Sequence, residues 1–145
     1  MRVMWIGGDH RRHRYYARRL HEAFGLVGAL VERRETMMPM PPAGTAAADA
    51  QLFTLHFQRR ENAETRHFGD PKLPNCPQRS VSRDELNTDA SAAFVRSCRP
   101  DLVMVFGCGM IRPPLLTNLP AHTLNCHLGL SPRYRGSATL FWPFY

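Results

Sequence analysis

"RVMWIGGDHRRHRYYARRLHEAFGLVGALVE", residues 2–32, holds the fold in three pieces. Residues 2–6 are a short apolar run ended by Gly7 and Gly8. Residues 13–24 set Tyr16, Leu20 and Phe24 four apart, the spacing that gathers apolar side chains into one stripe of a helix. Residues 26–32, "LVGALVE", are a second run of the buried-strand kind. Strand, helix and strand in that order open a βαβ unit, and such units build parallel sheets covered by helices.

The same alternation continues outward. Residues 36–45, "TMMPMPPAGT", carry prolines and a glycine without periodicity and read as a loop. Residues 46–68 resume a helical pattern, with Phe53 and Phe57 one turn apart and charges at Arg59, Arg60, Glu61 and Glu64. That predicts a surface helix with one buried face, stopped by Gly69, and residues 70–79 read as irregular. Asn87 or Thr88 can cap a helix running to about Ser97, Pro100 blocks its continuation, and residues 101–106, "DLVMVF", form a continuous apolar strand of the type covered on both faces. Residues 113–119 fit a short helix with proline in its first turn, and residues 122–126 a further strand, followed by a loop through Gly136 and the start of a last helix. The expected fold class is α/β: a Rossmann-like, open, mostly parallel sheet with helices on both faces.

The 145 residues, 43% of them hydrophobic, suffice for one domain with its own core, so residues 1–145 are read as a single domain. No run approaches the length of a membrane span, and the N-terminus lacks the apolar core of a signal peptide, which predicts a cytoplasmic protein without a membrane partner. Cys76, Cys98, Cys108 and Cys126 form no C-x-x-C pair, and Cys108 and Cys126 lie in apolar runs. Buried free thiols are therefore expected rather than disulfides or metal ligands. His10 and His13 have a spacing that zinc sites use, but in an arginine-rich segment without a further ligand nearby they read as solvated side chains, and no metal is expected. The net charge of +7 points to an anionic partner. All but Lys72 of the 19 basic residues are arginine, a bias that codon usage alone can produce, and no aromatic-interleaved RNA-binding signature accompanies it.

The chemistry concentrates in "LNCHLGLSPRYRGSATLFWPFY", residues 124–145. Asn125 and His127, two apart on an extended strand, project to one side, and the carboxyl end of such a strand is where open parallel sheets bind ligands. An amide donor can stabilise a developing oxyanion while a protonated histidine donates a second hydrogen bond, which is equipment for acyl transfer. A lone N-x-H could equally satisfy strand ends. In the loop that follows, Ser131, Pro132 and Gly136 set turns around Tyr134 and Arg135, more special backbone than a mere connection needs.

These residues resemble the folate-dependent formyltransferases, which include methionyl-tRNA formyltransferase, glycinamide ribonucleotide formyltransferase and the sugar-nucleotide N-formyltransferases. The family's hallmark is a strand ending in N-x-H and then a loop of the form S-L-L-P-x-Y/W-R-G. Asn125, His127, Leu130, Pro132, Tyr134, Arg135 and Gly136 match it in order and spacing, with "GLSP" in place of the more usual "SLLP". Upstream, "PDLVMVFGCGMI" is similar to the family's P-D-L-hydrophobic strand and to the loop whose backbone lines the folate pocket, which maps to Gly107, Cys108, Gly109, Met110, Ile111 and Arg112. The resemblance is specific over residues 99–142 and topological before them.

It implies a formyltransferase-type fold, 10-formyltetrahydrofolate as formyl-donor cosubstrate, no metal, and a primary amine acceptor that is an amino sugar or methionyl-tRNA-like. Asn125 would hold the formyl oxygen as the tetrahedral intermediate forms, His127 would donate to that oxygen or move a proton, and the backbone around Met110 and Ile111 would contact the pterin. On the substrate side, a Gly7-Gly8 turn at the end of the first strand would receive an acceptor phosphate at a helix N-terminus with help from Arg11 and Arg12, or is a plain tight turn, while Ser131, Tyr134, Arg135 and Gly136 shape the loop. "GGDHRRH" does not match G-x-G-x-x-G, so a nicotinamide cofactor has little support.

The family's third catalytic residue is an aspartate well downstream of the histidine. None of residues 128–145 is acidic, and Asp101, the last carboxylate in the chain, begins a strand and so belongs at the opposite edge of the sheet. The domain is therefore expected to be incomplete at its C-terminus, its site completed by a missing segment or by an oligomer. Two alternatives stay open: a non-catalytic folate-binding or assembly module of the same fold, and a formyltetrahydrofolate hydrolase.

Overall fold

The computed structural model describes residues 1–33, 38–130, 132–134 and 136. Strand β1 (Val3–Gly8) is followed by helix α1 (Arg11–Phe24) and strand β2 (Gly28–Glu32), the βαβ opening that the sequence predicts. Helix α2 (Ala47–Phe68), strand β3 (Gln78–Val81), helix α3 (Asp89–Cys98), strand β4 (Leu102–Phe106), a short 3-10 turn (Leu116–Asn118) and strand β5 (His122–Asn125) complete the order. The five strands form one sheet in the order β3-β2-β1-β4-β5, every pair parallel. The order reverses between β1 and β4, and in open α/β sheets the crevice at such a reversal, outside the carboxyl ends of the strands, is where ligands bind.

β1 and β2 are apolar almost throughout because they are covered on both faces. Met4, Ile6, Leu30, Val103 and Val105 pack toward Val95, Phe94 and Cys98 of α3, whereas Val3, Trp5, Ala29 and Val31 pack toward Tyr16, Ala17 and Leu20 of α1. The period-two alternation of each strand thus divides one hydrophobic run between two half-cores. At the opposite, amino end of the sheet, Arg2 joins the start of β1 to the end of α3. Its guanidinium donates to the carbonyls of Cys98 (2.8 Å) and Arg99 (3.0 Å), and its backbone N–H donates to the Asp101 carboxylate (2.7 Å). Asp101 therefore sits where the sequence puts it, away from the carboxyl edge.

Three local expectations are corrected. Gly7 and Gly8 do not turn the chain but form the last two residues of β1, buried like the rest of it. Residues 70–79 are not irregular to their end, because β3 begins at Gln78 and pairs with β2 from Ala29↔Gln78 to Glu32↔Val81. Helix α2 is on the surface as expected, but its only fully buried residue is the carboxylate-bearing Glu64 rather than an apolar stripe, and Leu52 and Leu55 are exposed. It is held to α1 by ion pairs, Arg11 with Glu61 (3.1 Å) and Arg12 with Glu64, and by Tyr15 against Phe68. Among the described residues no helix is long and apolar enough to cross a membrane.

Candidate active site

The carboxyl edge of β1, β4 and β5 collects most of the residues that the sequence singles out. In register, Gly7 of β1 lies beside Phe106 of β4, and Asn125 of β5 lies beside Val105. Paired residues of neighbouring strands share a face, so Asn125 stands on the α3 side with Val105, at the last position of an exposed edge strand. His127 follows two residues later, beyond the end of β5, and is half-buried. Its Nδ1 lies 3.0 Å from the carbonyl oxygen of Gly129. A carbonyl only accepts, so Nδ1 carries the proton and donates it, leaving Nε2 as the nitrogen that accepts in the neutral ring and donates in the imidazolium.

Close packing explains the glycines at this edge. A Cβ on Gly7 would come within 2.2 Å of Trp5 Cζ2 and 2.4 Å of the Phe106 carbonyl oxygen, and one on Gly8 would lie 2.7 Å from both the Gly107 carbonyl oxygen and His13 Nδ1. The loop leaving β4 therefore folds back across the end of β1. His13 is the plug between them: it is 2% exposed, stacks on His10 at 5.4 Å and meets Phe106 edge-on at 4.8 Å. The expectation that His10 and His13 are solvated side chains is thus wrong, since α1 begins at Arg11 and carries His13 inward on the same face as Ala17. Tyr16 also packs against Phe106, and its hydroxyl is pushed above the usual phenol range by burial and by the neighbouring Cys126 thiol.

Arg11 and Arg12 occupy the first turn of α1, as expected, but their guanidinium groups are committed to α2. Arg11 donates to Glu61, to the carbonyl of Gly69 and to Asp70, each at 3.1 Å, and Arg12 donates to Glu64. Tyr134 lies in a turn whose N–H donates to the carbonyl of Leu130 at 3.1 Å, and Gly136 is exposed with a φ of 93°. Ser131 and Arg135, together with the last predicted helix, lie outside the described residues. Cys108 and Cys126 fall just after β4 and β5 rather than within them, both half-buried, and none of the four cysteines forms a disulfide. Among the described residues no cluster of three His, Cys, Asp or Glu side chains gathers as it would around a metal ion.

Two residues that the sequence reading left out complete the site. Glu32, the last residue of β2, is 1% exposed, and its carboxylate accepts the N–H of Gly109. Asn87, ahead of α3, donates from Nδ2 to the Met110 carbonyl at 3.0 Å and accepts the Arg112 N–H at 2.7 Å. An acidic residue at the end of the second strand is the position from which dinucleotide-binding folds hold ribose hydroxyls. Here that carboxylate is turned inward onto a loop, in keeping with the missing glycine fingerprint. The strand-end acid was visible in "LVGALVE"; Asn87 could be read only as a helix cap.

The chain resembles a crystal structure of phosphoribosylglycinamide formyltransferase from Anaplasma phagocytophilum over 99% of its own length and 57% of that chain, with a TM-score of 0.58 and 16% sequence identity. The two share a Rossmann-like α/β fold.

In sequence, it is 41% identical over 59 residues to the methionyl-tRNA formyltransferase of Geobacter sulfurreducens, a match covering 40% of this chain and 19% of that protein. It is 43% identical over 51 residues to the corresponding enzyme of Geobacter metallireducens, covering 34% and 16%. No family model matches. The chain is thus similar to methionyl-tRNA formyltransferases over part of its length, and each match spans less than a fifth of these curated relatives.

Proposed function

We propose that the chain carries the formyl-transferring site of a folate-dependent formyltransferase, moving a formyl group from 10-formyltetrahydrofolate to a primary amine. The observation that carries this reading is the position of Asn125: the N-x-H segment leaves the sheet beside Val105, one residue pair before β4 gives way to the glycine-rich loop at Gly107. A donor amide and a histidine thereby share one edge with a loop suited to a flat cofactor, which is the arrangement acyl transfer requires.

In the reaction the amine nitrogen attacks the formyl carbon, and the carbonyl oxygen takes on negative charge as the tetrahedral intermediate forms. Asn125 donates to that oxygen. The intermediate collapses by breaking the bond between the carbon and N10 of the folate, while the amine loses a proton and N10 gains one. The orientation of His127 supports a role for Nε2 in that traffic, either donating to the oxygen as imidazolium or relaying a proton as neutral ring. The Gly107, Cys108, Gly109, Met110, Ile111 and Arg112 loop would take the pterin. Gly7, Gly8, Ser131, Tyr134, Arg135 and Gly136 would border the acceptor, an amino sugar or a methionyl-tRNA-like amine that suits the net charge of +7. Arg11 and Arg12 would join them only by leaving their α2 partners. A cytoplasmic setting goes with this reading.

Calorimetric titration of the chain with a stable analogue of the formyl donor tests the proposal. Saturable binding is expected, whereas no binding by a well-folded chain contradicts it; binding without transfer to any amine favours the non-catalytic module, and formate release without an acceptor favours the hydrolase. In a form of the protein that transfers formyl groups, Asn125→Ala should lower kcat about 100-fold, the loss usual for one oxyanion donor, and single-turnover kinetics at saturating donor will measure it.

A further inference from the structure

The loop of residues 107–112 is shaped by two side chains that do not belong to it. Glu32 comes from β2, 77 residues earlier, and holds the Gly109 N–H from within the core. Asn87, from the segment ahead of α3, holds the loop from the other side with both halves of its carboxamide. The orientation of that amide is fixed by its partners, since the Met110 carbonyl can only accept and the Arg112 N–H can only donate. The Arg112 carbonyl accepts the Leu116 N–H at 2.9 Å, and the Ile111 side chain packs against the half-core facing α3.

These bonds use the Gly109 N–H, the Met110 carbonyl and both polar groups of Arg112. Among the described residues, the N–H of Met110 and the N–H and carbonyl of Ile111 keep no hydrogen-bond partner, while the Met110 side chain stands 72% exposed. A ligand reading this loop is thus offered two donors and one acceptor on adjacent residues. That pattern suits the edge of a planar heterocycle in which a ring carbonyl neighbours a ring N–H.

We propose that Asn87 and Glu32 are positioning residues for the ligand carried by this loop: they hold its backbone in the bound shape so that Met110 and Ile111 can read the heterocycle without first being ordered. This rests on the folate reading above. The physical gain is preorganisation, because a loop already fixed does not lose conformational freedom on binding.

The test combines three measurements on the full chain: calorimetric affinity for a stable 10-formyltetrahydrofolate analogue, amide hydrogen exchange at Gly109 and Arg112, and the thermal midpoint. Asn87→Ala removes both bonds, and Asn87→Asp keeps the acceptor for Arg112 while setting a charge against the Met110 carbonyl. Glu32→Gln keeps an acceptor for Gly109. Asn87→Ala, which loses both hydrogen bonds, is expected to weaken binding about 10-fold and to speed Arg112 exchange by a similar factor; Asn87→Asp, which loses only the bond to Met110 and sets a charge there, should weaken binding by a similar factor but leave Arg112 exchange near wild type, with little change in midpoint in either. Glu32→Gln should stay within about 3-fold of wild type, by the same arithmetic with the bond kept. If wild type binds and both Asn87 variants bind equally well, the positioning role is overturned and the folate reading stands. If wild type itself does not bind, the folate reading falls and takes this proposal with it, whatever the exchange rates show.

Discussion

Replacing His127 by alanine is expected to lower formyl transfer about a thousandfold, the middle of the range for a positioned proton-transfer group, while leaving the thermal midpoint where it is. The fold should survive because the side chain is only half-buried and its hydrogen bond is local, from Nδ1 to the Gly129 carbonyl two residues on. Activity should not, because that bond leaves Nε2 as the only ring nitrogen able to exchange a proton with substrate. A second variant separates the two roles. His127→Asn can still offer an amide N–H toward Gly129 but has no titratable nitrogen, so it should be as slow as His127→Ala. Single-turnover transfer from 10-formyltetrahydrofolate to an amine that the wild-type protein formylates is the measurement. Near wild-type rates in both variants would remove the imidazole from the mechanism; recovery in His127→Asn alone would reduce His127 to a support for the loop.

Elements with a repeating pattern were legible in the sequence, and those fixed by distant partners were not. β1, α1, β2 and β4 declared themselves because a strand covered on both faces reads as an unbroken apolar run and an amphipathic helix repeats its stripe, although Phe24, the last residue of the stripe expected in α1, is exposed and His13 and Ala17 are the residues it buries. β3, "QRSV", offers a single apolar residue and exists because β2 has an edge to pair: the Ala29 N–H donates to Pro77 and the Arg33 N–H to Val81. An edge strand with charged side chains shows little alternation to read. His13 reads as solvated at the arginine-rich start of a helix, but it lies one turn before Ala17 on the buried face of α1, where the ends of β1 and β4 cover it, a contact no local pattern shows. Asn125 and His127 were found by local motif, but the geometry assigned to the pair was too regular. β5 stops at Asn125, so the two-residue alternation of a strand does not extend to the histidine. Glu32 and Asn87 act on the 107–112 loop across 77 and 25 residues of chain, and no local pattern carries such a contact.

Gly107→Ala is expected to cost about 4 kcal/mol of folding stability, a large share of what a domain of this size possesses. Two penalties add. Gly107 has a φ of 74°, in the left-handed region where an L side chain crowds its own backbone, worth about 1–3 kcal/mol. The new methyl would also sit 2.1 Å from His13 Nε2 and 2.3 Å from Cε1, and the imidazole has nowhere to retreat. His10 stacks on one side of it, Phe106 meets it edge-on, and Gly8 closes on its Nδ1. Overpacking of that kind costs about another 1–3 kcal/mol. Gly109→Ala is the control on the same loop: the nearest atoms to its added Cβ are the Glu32 carboxylate oxygens at 3.5 Å, an ordinary contact, so its cost should stay below about 1 kcal/mol. Urea unfolding midpoints for the two variants decide the matter. His13→Ala made together with Gly107→Ala should recover the steric part of the loss and keep the backbone part, relative to His13→Ala alone. A Gly107→Ala protein as stable as Gly109→Ala would mean that the loop leaving β4 is not locked over the end of β1, and the preformed edge on which the proposed site depends would have to be abandoned.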